Sequence, residues 1–143
     1  MEIERAKRYR DKMNIILKRN DEINDWIGGY NSEDFVHDEK TKLATYKAFQ
    51  EIVEASMDCI AMACKDEKIV PKDDYTNIES LGVIEEGMRS ILIEANGLRN
   101  RLVHRYNHTD DILAFENMLG LLPGVMEFVN VVETWIRKKL NEE

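Results

Sequence analysis

The stretch IERAKRYRDKMNIILKRNDEINDWIGG, residues 3–29, decides the fold. Its apolar residues Tyr9, Met13, Ile16, Ile23 and Ile27 recur in steps of four, three, seven and four. That spacing gathers them on one face of a helix and scatters them over both faces of a strand. Gly28 and Gly29 end the pattern. A 25-residue amphipathic helix needs partners with matching stripes elsewhere in the chain.

Three such partners follow. Ser32 is placed to cap a second helix from about Glu33 to Glu67, with a seam of Phe35, Leu43, Tyr46, Phe49, Val53, Met57, Ile60 and Ala63. A helix of that length spans about 50 Å, so part of it is expected to serve a partner. KIVPKDDYTN is a loop, because Pro71 disfavours helix in the residue before it. TNIE, with Thr76 and Glu79, reads as a capping box opening a short helix that ends near Leu81-Gly82. Another helix starts around Ile84-Glu85 and carries Met88, Leu92, Ala95, Arg99, Leu102 and Tyr106 at steps of four and three. Thr109 or Asp110 caps the last helix, which keeps its period to near Leu140 and should kink at Gly120 and Pro123. The expectation is all-α: one domain over 1–143, an up-and-down bundle of four to five helices.

Composition agrees. Hydrophobic residues make up 43% and charged residues 34%, with only 2 Pro and 7 Gly, a balance that suits long helices better than a turn-rich β fold. No uninterrupted apolar run approaches the roughly 18 to 20 residues of a membrane span, and the N-terminal MEIERAKRYRDKMN is polar rather than signal-like. A cytoplasmic protein with no membrane partner is expected. Cys59 and Cys64 lie five apart in an apolar stretch, where they read as core thiols. Met57 and Met62 beside them read the same way.

A formal net charge of -8 argues against a broad nucleic-acid footprint. Yet GLRNRLVHRYNHTDD, residues 97–111, concentrates three arginines, two histidines, two asparagines and a tyrosine. Any contact with an anion must be local and must be here. Arg99 falls on the apolar stripe, which is costly unless it is paired with a carboxylate such as Glu54 or serves an anion. His104 is suited to proton transfer near neutral pH, and a guanidinium stabilises charge growing on a phosphate. Residues five apart on a straight helix point about 140° from each other, so Arg99 and His104 do not converge automatically. Asn100 shares a face with His104 and could hold its tautomer, and Gly97 beneath it leaves room for a second backbone. Convergence is easier where two copies of the helix meet across a two-fold axis. A second arrangement, His104 and His108 with Asp110 and Asp111, could hold a divalent ion, although Thr109-Asp110-Asp111 reads more simply as a helix cap.

RNRLVHRY, residues 99–106, resembles the R-x4-H-x-Y motif of the HEPN superfamily in its DUF86 or HepT-like branch. YKAFQEIVEASMDCIAMA, DDYTNIESLGVIEE and the motif stretch arrive in the order that branch shows, from about Lys42 onward. The resemblance implies a homodimeric helical bundle whose two motifs face a shared cleft. It implies an RNA-cleaving toxin that needs no metal and no cofactor, encoded beside a minimal nucleotidyltransferase antitoxin able to transfer AMP to the motif tyrosine. The roles it implies are catalytic for Arg99 and His104, supporting for Asn100, modification target for Tyr106, and RNA or nucleotide contact for Arg101 and Arg105. A non-catalytic nucleotide- or partner-binding module stays open beside the ribonuclease.

Overall fold

The computed structural model describes residues 1–104 and 110–142. They form six helices: α1 (Ile3–Ile27), α2 (Ser32–His37), α3 (Glu39–Asp66), α4 (Asp74–Ser80), α5 (Glu86–His104) and α6 (Asp111–Asn141). No strand occurs among the described residues. Four long helices alternate in direction, and α2 and α4 are short pieces between them.

Cross-helix bonds fix those directions. Arg5, Lys12 and Arg19 of α1 pair with Asp66, Asp58 and Glu51 of α3, so the two helices run antiparallel. The N-terminal ammonium donates to the Lys139 carbonyl and Arg10 grips Glu133 with two bonds, which sets α1 antiparallel to α6 as well. The seam expected on α1 is its buried face: Tyr9, Met13, Ile16, Ile23 and Ile27 are all in the core. Exposed or half-exposed ion pairs each contribute little, so burial of this stripe holds the bundle and the charges set its register.

The count of six differs from the expected four to five because the long second helix is broken. Asp38 adopts φ −110 and ψ 83, its carboxylate accepts from the Thr41 N–H, and the Tyr30 hydroxyl donates to its other oxygen at 2.6 Å. Asp38 is therefore the N-cap of a new helix rather than an interior residue. The cap of α2 is Asn31, not Ser32; Asn31 and Asp34 exchange reciprocal bonds. The break also shifts the seam: Leu43, expected inside, is exposed, while Lys42 is buried. From Tyr46 to Cys64 the seam holds, with Met57, Cys59 and Cys64 buried and both thiols free, so α3 is filled by the core over most of its length.

A similar shift occurs at α4. Asp73 accepts from the backbone and hydroxyl of Thr76, so the helix starts at Asp74 and the Thr76–Glu79 box is not used. The sequence places two competing caps three residues apart, and the earlier one lengthens by a turn a helix whose buried residues are Asn77 and Ile78.

α6 runs as one helix through Pro123. Its tight point is Gly124, where a Cβ would stand 2.7 Å from Ile91 Cδ1 of α5; at Gly120 a Cβ would meet nothing. α6 is also long and apolar enough, by length and composition, to cross a membrane. The expectation that no uninterrupted apolar run approaches such a length still holds, since α6 passes by its mean composition, with few charged residues spread along it. Phe115, Met118, Leu122, Val129 and Ile136 of α6 lie in the core of the bundle.

Candidate functional site

α5 carries the motif toward one end of the bundle. Leu92, Ala95, Leu98 and Leu102 bury its inner face, and Arg99 lies among them with 17% of its side chain exposed. The stripe placement of Arg99 thus holds. The cost of bringing a guanidinium there is offset by three acceptors from three helices. Glu54 of α3 lies 3.5 Å from Nη1, Asp74 of α4 lies 3.3 Å from Nη2, and Asn96, one turn back on α5, accepts from Nη2 at 2.7 Å. Glu54 is held in turn by the Gln50 amide at 2.9 Å. Arg99 Nε is buried with no acceptor among the described residues, so the guanidinium is gripped by its terminal nitrogens alone.

The carboxylate pairing considered for Arg99 is therefore present, with Glu54 as one partner. Asp74 comes from a helix whose start the sequence misplaced. Asn96 has its own signal in the sequence, which the motif does not include: it lies four residues after Leu92 and three before Arg99, a polar side chain on a stripe that should be apolar.

Asn100 is half-buried, Arg101 is exposed, and His104 is exposed as the last residue of α5. His104 is not among the partners of Arg99, as the 140° between them foretells. Among the described residues a Cβ at Gly97 would meet only Arg101 Nη1 at 3.5 Å, ordinary contact, so no neighbouring backbone there closes off the surface over Gly97. Arg105, Tyr106 and His108 lie outside the described residues, as does Thr109.

Beyond that interval the chain is anchored firmly. Asp110 caps α6 by accepting from the Leu113 N–H at 3.1 Å, one of the two caps expected. Asp111 receives Lys42 Nζ at 2.9 Å and the Tyr46 hydroxyl at 2.5 Å. Glu39 and Asp111 together raise the Lys42 ammonium above its ordinary value, against the opposing effect of burial. Both aspartates of the alternative metal arrangement thus serve structure. Among the described residues no group of three His, Cys, Asp or Glu is gathered as metal ligands.

Known proteins share this architecture and more. The family model described as Ribonuclease HepT-like matches residues 3–132. Two proteins of Archaeoglobus fulgidus, each named "Putative RNase", are similar to the chain. One is 31% identical over 140 residues, covering 94% of this chain and 97% of its own length. The other is 38% identical over 109 residues, covering 74% of this chain and 76% of its own. Among solved structures, a tri-AMPylated Shewanella oneidensis HEPN toxin in complex with MNT antitoxin superposes with a TM-score of 0.81 at 18% identity, covering 88% of this chain and 96% of that chain. At that identity the likeness concerns the fold, which is the HEPN helical bundle. The matched span takes in the bundle from α1 through most of α6 with the 99–106 motif inside it, and the chain belongs to the HepT-like ribonuclease family.

Proposed function

We propose that this chain is a metal-independent, RNA-cleaving toxin of a toxin–antitoxin pair, neutralised by a minimal nucleotidyltransferase. The observation that carries the reading is the family match over residues 3–132, which encloses Arg99, Asn100 and His104 at the motif's own spacing. The fold neighbour being a HEPN toxin in complex with an MNT antitoxin supports the partner.

The chemistry asks little of the protein. A ribose 2′-hydroxyl is an internal nucleophile already beside its phosphorus. His104 takes the hydroxyl proton, the oxygen attacks phosphorus, Arg99 stabilises the negative phosphorane, and the 5′-oxygen leaves with a proton from an acid. Asn100 orients the imidazole, and Arg101 and Arg105 hold flanking phosphates. The acid comes from a second copy of the chain, with the two motifs facing each other across a two-fold axis. Val103 of α5 and Ile112, Leu113 and Leu119 of α6 are exposed apolar side chains near the motif, and they supply a face for that pairing. AMP added to Tyr106 would fill the cleft with bulk and phosphate charge and switch cleavage off.

The test expresses the chain alone and with the neighbouring nucleotidyltransferase, scoring growth and RNA integrity, and assays the purified protein in EDTA. Wild-type protein should cut RNA as a particle of about twice the 16.7 kDa chain mass, and His104→Ala and Arg99→Ala should each lose about 10²-fold or more. Cleavage that survives either substitution, or that stops in EDTA, rejects the assignment. A second reading, a non-catalytic nucleotide- or partner-binding module, draws on Glu54 and Asp74 partly neutralising Arg99. Nucleotide binding with RNA left intact would select it.

A further inference from the structure

Arg99 is held by acceptors of two kinds. The carboxylates of Glu54 and Asp74 stand at 3.5 and 3.3 Å and are 43% and 37% exposed, so both contacts are long and wet. Asn96 accepts at 2.7 Å, is 1% exposed, and sits on the same helix as Arg99. An RNA phosphate approaching the guanidinium meets two negative groups already there, and like charges on one cation compete. Both carboxylates are open to solvent and can give way to a phosphate; Asp74 is the one that shares Nη2 with Asn96, while Glu54 is also held by Gln50. Asn96 carries no charge, repels no phosphate, and has no room to leave.

We propose that Asn96 is the positioning residue of this site: it keeps Arg99 Nη2 in place through the exchange of Asp74 for substrate phosphate, and does so without cancelling the guanidinium charge. The inference rests on the ribonuclease reading for its kinetic consequence and on geometry alone for the hold on Arg99. Because Arg99 Nε has no acceptor among the described residues, removal of the Asn96 amide takes away the shortest bond that orients the guanidinium. A carboxylate at position 96 would keep the shape and the bond but add a third negative charge where water does not screen it.

The experiment uses the wild-type chain, Asn96→Ala and Asn96→Asp, with thermal unfolding confirming that each is folded. Proton–nitrogen spectra of the arginine side chains, with Arg99→Lys identifying the Arg99 signal, report rotation of its guanidinium. Wild-type Arg99 should rotate slowly, and should continue to do so in inorganic phosphate, whereas Asn96→Ala should rotate about tenfold faster. In RNA cleavage both variants should lose about tenfold or more in kcat, and Asn96→Asp alone should also raise KM. Unchanged Arg99 rotation in Asn96→Ala, or wild-type kcat in the folded variants, overturns the proposal. A wild-type chain that cuts no RNA counts against the ribonuclease reading, and the spectra then decide the role of Asn96 by themselves.

Discussion

Lys42 Nζ and Asp111 Oδ2 lie 2.9 Å apart, joining the start of α3 to the first residue of α6 across 69 positions of sequence. Only 7% of the Lys42 side chain is exposed, and Tyr46 one turn further along α3 binds the other carboxylate oxygen. The chain that leaves α5 after His104 is therefore received at a fixed point.

Removing Lys42 should cost more than a surface ion pair does. Lys42→Ala leaves Asp111 half-buried without its cation and should destabilise the fold by about 3 kcal/mol, read by denaturant unfolding. The pH dependence has a definite sign. The folded-state pKa of Lys42 lies above its ordinary 10.5, so the stability it contributes is fully present below 10.5 and is lost as pH rises through the higher folded value. Wild-type protein should lose stability on that alkaline limb, and Lys42→Ala should lack this part of the loss.

Asp74→Asn removes the exposed anion that shares Arg99 Nη2 with Asn96. If phosphate competes with it, the variant should bind RNA or a nucleotide roughly two- to fivefold more tightly, the range of an exposed ion pair. Glu54→Gln, from 3.5 Å, should act in the same direction and more weakly. Titration of each folded variant with a fluorescent oligonucleotide measures this, and weaker binding by Asp74→Asn would contradict the competition.

Two glycines of α6 should answer the same substitution with opposite signs. Gly120→Ala adds a methyl in open space and gains up to about 1 kcal/mol of helix propensity. Gly124→Ala gains the same but drives its Cβ to 2.7 and 2.8 Å from Ile91 Cδ1 and Cγ2, an overpacking that costs about 1–3 kcal/mol. Paired melting curves should place Gly120→Ala above wild type and Gly124→Ala below wild type.

The two thiols should be silent until the bundle opens. Burial pushes the Cys59 thiol up to about 12, with Asp58 adding to the rise, and burial raises Cys64 as well. Since the thiolate is the reactive form, both should resist a thiol reagent at pH 8 in the native state and become reactive together on unfolding. A thiol that labels fast in native protein would show that α3 opens locally.

Local chemistry was legible in the amino-acid sequence. The span of α1, the seam of α3 from Tyr46 onward, the Asp110 cap and the place of Arg99 on the α5 stripe follow from period and capping, which involve residues only a few positions apart. The family motif was legible for the same reason, being eight residues long. What the tertiary structure decided involves distant partners. Lys42 replaces Leu43 inside because Asp111, 69 positions away, arrives to receive its charge. Asp38 breaks the long helix where Tyr30 reaches its carboxylate as well as Thr41. Gly124 rather than Gly120 is the close-packed glycine because Ile91 of another helix stands against it. Arg99 takes Asp74 and Glu54 from two other helices, which no pattern within α5 announces, whereas its shortest bond, to Asn96 three residues earlier, is local to that helix. A periodicity states which residues share a face; it carries no record of which charges the opposite face brings to meet them.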